Sequence, residues 1–278
     1  MSDTITPASS HNARRMPSFF VPHGAGPCFF MDWDPPGVWD SMGNFLRAIP
    51  SMLPQRPRAI VVVTAHWQAP AFTVGSSRQP AMLYDYHGFP PHTYTLRYDA
   101  PGDPALAQRI AGLLHDAGLP STKDVERGFD HGTFIPLMLM FPAADIPVVQ
   151  LSLRHNPEPR AHLAAGAALA PLRDEGVLIV GSGMSFHNMR AQSDARFVPV
   201  AEAFDAWLNT TVQAPPAARN TALSDLESAP GARLCHPPNA EEHLLPLMVV
   251  AGAAADDAGQ RVYAERCMGI SLSGYRFG

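Results

Sequence analysis

Three stretches of the chain are apolar without alternation: RAIVVVTAHW (58–67), IPVVQLSL (146–153) and VLIVGSG (177–183). A strand with one wet face alternates apolar and polar residues, so a run apolar at nearly every position must be covered on both faces. Helix-period segments lie nearby, among them PALAQRIAGLLHDAG (104–118) and PRAHLAAGAALAPLRDEG (159–176), each closed by a glycine. Buried strands alternating with helices leave few solutions. The expected fold is α/β with three layers: a central mixed, largely parallel sheet flanked by helices on both faces.

The remaining segments fit that plan. SFFVPHG (18–24) reads as a short strand, and VYAERCMGISLSGYRF as one or two strands. WDSMGNFLRAIPSML, FVPVAEAFDAWLNTTV and EEHLLPLMVVAGAA (241–254) read as helices. Residues 78–98, rich in Pro, Gly, His and Tyr, read as a long functional loop. The 29 prolines imply many rigid connections. There is no internal repeat and no linker-like segment, so residues 17–278 are expected to form a single catalytic domain after a flexible segment, 1–16.

Charge excludes some partners. The net charge is −5, and the 20 Lys and Arg are scattered. Nucleic acid and anionic membranes both require clustered cations, so neither is expected as a partner. No apolar run approaches the ~18 residues of a membrane span. Cys28, Cys235 and Cys267 are odd in number and far apart, which fits neither a disulfide framework nor a CxxC metal site. A reducing, cytoplasmic location is expected.

Histidine carries the functional signal. His23 follows FFVP, His66 follows VVVTA, and His187 follows VLIVGSGMSF. Any one of them alone reads as packing. At the exits of three parallel strands they lie where α/β sheets gather their ligands, and together they point to a metal or catalytic cluster. Neutral imidazole suits Fe, Zn, Cu and Ni. Other features read more plainly. Asp130, in GFDHGTFIP, is placed to cap the helix after it, beside His131. Glu241, Glu242 and His243 open a helix, where carboxylates favour the dipole. His87 and His92 sit in the long loop with Tyr84, Tyr86 and Tyr94. Trp67 reads as an anchor for the strand end, and His11, His115, His155 and His162 as surface residues. GSGMS lacks the spacing of a nucleophile elbow, and there is no HExxH, P-loop or dinucleotide fingerprint.

PHGAGPCFFMD, VVVTAHW, DHGTFIPL, IPVVQLSL, GSGMSFHN and EEHLLPLMVVAGAA occur in the order found in class III extradiol ring-cleavage dioxygenases. From about residue 17 onward the chain resembles that LigB-like class, and the DOPA 4,5-dioxygenase-type enzymes in particular. The resemblance implies one mononuclear metal, Fe(II) for activity, with Zn(II) the alternative occupant. His23 and His66 carry over as ligands. In the broader class the third ligand is a Glu near the C-terminus, and the histidine of the Gly-Ser-Gly motif serves as acid/base. In the DOPA-type group that histidine, His187 here, is a ligand together with the one opening the last helix, His243. The preferred assignment makes His187 a ligand, His243 a fourth ligand or a ligand's partner, and His131 the acid/base. Glu241 and Glu242 stay open as alternatives for completing the shell. Two departures stand out: seven positions separate His236 from His243, and the first motif is His-Gly-Ala-Gly-Pro rather than His-Gly-Ser-Pro.

The chemistry suits this set. Three protein ligands on one face of Fe(II) leave positions open for a catechol and for O2. A histidine that titrates near neutral pH can then move the phenolic proton. The substrates implied are a small aromatic diol and O2, and a homodimer is one compatible assembly. Two other readings use the same cluster: a zinc-dependent hydrolase with a metal-bound water, and a non-catalytic relative that keeps the fold for binding.

Overall fold

The computed structural model describes residues 15–191, 194–238 and 241–278. Most of the expected loose segment 1–16 lies outside the described residues; Met16, within them, is fully buried and donates its N–H to Arg173 O.

Among the described residues one eight-stranded sheet forms the centre. Its strands are β1 (Ser18–Pro22), β2 (Ala59–Ala69), β3 (Phe72–Gly75), β4 (Ser121–Asp124), β5 (Val148–Arg154), β6 (Val177–Gly183), β7 (Gly259–Cys267) and β8 (Ile270–Phe277). The order is β4-β3-β5-β2-β6-β1-β8-β7. The four middle strands are mutually parallel, and antiparallel pairings begin at β3 and at β8. The helices are α1 (Asp40–Ala48), α2 (Pro104–Asp116), α3 (His131–Met140), α4 (Pro159–Leu169), α5 (Pro171–Asp174), α6 (Val198–Gln213), α7 (Pro216–Ser224), α8 (Ala232–Cys235) and α9 (Leu245–Ala253).

The apolar runs behave as their composition dictates. Ile60 to Val63 of β2, Leu151 of β5 and Leu178 to Val180 of β6 are 1 % exposed or less. Strand β6 shows why both faces close. A Cβ on Gly181 would lie 2.6 Å from Pro246 O, at the start of α9. The next residue, Ser182, points the other way and donates to Gly132 O in α3. The sheet is therefore sandwiched between α9 on one face and α3 on the other. Two buried arginines hold the far end of α9: Arg173 donates to Ala253 O and Ala254 O, and Arg219 to Ala251 O and Ala255 O.

Some expectations need correction. Strand β2 runs past Trp67 to Ala69, so His66 lies within the strand and not at its exit. Its pairing with β5 shifts register between Val63 and Gln68, so His66 stands in a bulge. Bulges re-aim side chains, and this one occurs where pairing with β6 stops, at Thr64. The 159–176 helix breaks at Pro171, which has no N–H to continue it. His162 is not a surface residue: it is fully buried in α4. His11 lies outside the described residues. Strands β3 and β4 and helix α7 are short and went unrecognised in the sequence.

Candidate metal centre

His23 leaves β1, His66 stands in the β2 bulge, and His243 precedes α9. One ligand atom from each lies within 4.8 Å of the others. The Nε2 atoms of His23 and His66 face each other at 3.1 Å. The ring centroids of His23 and His66 lie 4.9 Å apart, of His66 and His243 4.9 Å, and of His23 and His243 5.2 Å.

The supports of these rings set their tautomers. Ser182 Oγ has one proton and gives it to Gly132 O. It can therefore only accept from His23 Nδ1, 3.0 Å away. His23 then carries its proton on Nδ1 and turns a lone pair on Nε2 toward the cluster. His243 Nδ1 lies 2.8 Å from Glu242 Oε1, which leaves its Nε2 free in the same way. Burial, then the neighbouring His66, drive the His23 pKa well below the ordinary imidazole value. Burial, then His187, do the same for His243. Burial, then His131, push His66 down to about 3. Three neutral imidazoles crowded together are poor proton acceptors and good ligands for borderline transition metals such as Fe and Zn. The residues present thus fit a mononuclear transition metal.

His187 stacks on His243, with centroids 3.5 Å apart and planes 19° from parallel. Its Nδ1 is 3.5 Å from Glu242 Oε1, so one carboxylate faces both rings. Burial raises the pKa of Glu242. Glu241 is different: it pairs with Arg233 and does not reach the cluster.

His131 opens α3 and lies against His66, with ring centroids 3.8 Å apart. Its Nδ1 is 2.8 Å from Asp85 Oδ1, which also accepts the His131 backbone N–H at 2.9 Å. Burial would raise the Asp85 pKa, but the His131 hydrogen bonds prevail and hold it low. Asp85 was not singled out in the sequence, because nothing in YDYHG fixes where a loop carboxylate goes. Beneath the site Asp130 caps α3 through Thr133 N–H, as expected, and does more. It also accepts from Thr64, Gln150 and Arg127. Thr64 Oγ1 in turn accepts the N–H of His66. The bulge and the start of α3 are thereby tied together, and with them His66 and His131.

The histidines open into a cavity of about 230 Å³. His23, His66, His131, His187 and His243 all line it. His236 is elsewhere, buried against Phe204 with Nε2 3.0 Å from Ser185 O. His87 is exposed, and His92 lies 3.0 Å from Phe30 O. The loop tyrosines pack behind His131, and Tyr86 is 5.8 Å from it, ring to ring. Trp67 is an anchor, covered by the Arg127 guanidinium at 4.8 Å.

The chain is similar to several known proteins. The pattern of the catalytic LigB subunit of aromatic ring-opening dioxygenases matches residues 18–278. A 4,5-DOPA dioxygenase extradiol of Beta vulgaris is 37% identical, across 94% of this chain and 96% of the relative. The protein of that name in Escherichia coli (strain K12) is 38% identical, across 87% and 86%. A dioxygenase of Hapsidospora irregularis, tasH, is 37% identical, across 94% and 85%. The crystal structure of an uncharacterized protein from Escherichia coli K12 superposes with a TM-score of 0.72 at 34% identity. It covers 95% of this chain and 100% of that one.

Proposed function

The chain belongs to the LigB family of aromatic ring-opening dioxygenases and is an extradiol ring-cleaving enzyme, and from that premise we propose how its residues divide the work. His23, His66 and His243 hold a non-haem Fe(II), with His187 as a fourth ligand beside His243. His131 is the acid/base. The observation that carries this reading is the His23 Nε2 lone pair, fixed by Ser182 and aimed at His66 Nε2 3.1 Å away. The substrate is a catechol-type diol.

Fe(II), when bound, would bring the diol and O2 to one centre and ease deprotonation of the diol. His131 takes the phenolic proton on Nε2. Asp85 accepts Nδ1–H and keeps that tautomer in place, then stabilises the imidazolium formed. Phe89, Trp39 and Phe186 give the cavity an apolar wall beside the histidines. Four imidazoles suit Zn(II) as well as Fe(II), so activity calls for anaerobic loading with Fe(II). No helix among the described residues is long and apolar enough to cross a membrane. The three cysteines are buried free thiols, which supports a reducing, cytoplasmic setting.

Metal analysis of single variants tests the division. His23→Ala, His66→Ala and His243→Ala should each lose metal. His131→Ala should keep it and lose about 10²–10⁴ in kcat. Full metal content in any of the first three would overturn the assignment.

A further inference from the structure

The part of the cavity that does not face the metal ligands has a chemistry of its own. Its wall comes from three places in the fold. Phe89 reaches in from the long loop and lies over the turn after β1, where a Cβ on Gly26 would be 3.0 Å from its ring. Phe186 and Met189 come from the segment after β6, and Met268, Ile270 and Leu272 from the β7–β8 hairpin. Among the described residues no Asp, Glu, Lys or Arg lines this cavity.

Two of the polar side chains that line it are already engaged, and the lining donor without a partner among the described residues, the buried Trp39 indole N–H, is uncharged. Asn188 donates its amide to Leu234 O at 2.7 Å and accepts Arg190 N–H at 3.0 Å. Cys267 donates to Val38 O at 3.7 Å. Burial raises that thiol to about 11, so it stays neutral.

We propose that this cavity selects catechols whose ring substituent is apolar and uncharged, and disfavours those bearing an ammonium or a carboxylate. The inference rests on the histidine cluster being where the diol binds. The hairpin residues line the same cavity as the histidines, so a diol held there shares that space with the hairpin wall. An amino-acid side chain, as in DOPA, would bring two charges to that wall and find no counter-ion. Burying a charge without a partner is costly, whereas each methylene placed in such a pocket is favourable. Methionine adds adaptability, since its unbranched thioether fills irregular gaps. The cavity is also small beside the ~300–1,000 Å³ of pockets for drug-sized ligands, which suits a single substituted ring.

Binding separates this inference from the reaction itself. The full chain is loaded with redox-inert Zn(II) and titrated anaerobically with 4-butylcatechol, DOPA and 3-(3,4-dihydroxyphenyl)propionate. The expected result is a Kd for butylcatechol about tenfold or more below that for DOPA. Comparable affinities, a preference for DOPA, or no binding of either would overturn the proposal. Met268→Lys, at the half-buried hairpin tip, places a cation in the wall. It should shift the ratio toward the propionate by about tenfold; an unchanged ratio would count against the hairpin as the selecting wall. Should the variant fail to fold, the wild-type comparison decides alone. Oxygen uptake with Fe(II) is measured separately. An apolar preference in binding with no ring opening would leave this inference standing and overturn the proposed function.

Discussion

Ser182 has one proton, and its destination decides what His23 can do. Because Gly132 O receives it, His23 must donate through Nδ1 and is left with a lone pair on Nε2 that faces the cluster. Asp85 governs His131 in the same fashion. In Asp85→Asn the amide can present either a donor or an acceptor to Nδ1, and the imidazolium loses its counter-charge. We expect kcat to fall by about 10²-fold or more with metal content unchanged; kinetics paired with metal analysis will read this. His162 offers a test remote from the site. Its Nδ1–H donates to Glu158 O, and its Nε2 accepts Arg154 N–H, so the neutral ring is locked in place. Burial lowers its pKa from 6.5 to about 4. Between those values the unfolded chain holds the extra proton, so stability must fall as pH drops from 6.5 toward 4. The full loss is about 3 kcal/mol. Unfolding midpoints of wild type and His162→Gln across that range should converge as this term disappears from the variant.

At the scale of elements, the site is assembled where strands stop pairing. Sequence patterns revealed β2, β5 and β6, because a doubly covered strand leaves a continuous apolar run. They also revealed the histidines near the strand exits. They did not reveal that β2 continues through a bulge to Ala69, since hydrophobicity carries no information on register. Asp85 was equally hidden: its partner is 46 residues away, and only the tertiary fold joins them. The role of Glu242 was half legible. A carboxylate at a helix start is ordinary, and its neighbour Glu241 is indeed spent on Arg233. Only the fold distinguishes the two. Gly183, at the end of β6, shows how tightly the elements meet. A Cβ there would lie 2.1 Å from His243 O, the acceptor of Met184 N–H. Gly183→Ala should therefore cost about 1–3 kcal/mol. It should also weaken metal binding, because it displaces the segment that presents His243. Denaturant unfolding and metal titration on the same variant check both effects.

For the whole molecule, the proposed metal assignment makes a prediction about stability. A metal held by converging neutral imidazoles would bind the folded chain, while the unfolded chain has no such cluster. At a metal concentration a hundredfold above Kd, the gain is about 2.7 kcal/mol. Chelation should then lower Tm by several degrees, with about 2–4 °C for each kcal/mol in a chain of this size. His66→Ala should abolish the difference between chelated and metal-loaded samples. The sandwich of sheet and helices was readable from the sequence as a class, and the ordered motifs narrowed it to a family. What the sequence withheld was the set of contacts between distant segments, and these set both tautomers and pocket wall. The most direct test of the account is oxygen consumption by the anaerobically Fe(II)-loaded protein given a 4-alkylcatechol. One O2 should be consumed for each ring opened, with a yellow semialdehyde product and no turnover in His66→Ala. Fully metal-loaded protein that consumes no O2 with any catechol would contradict it.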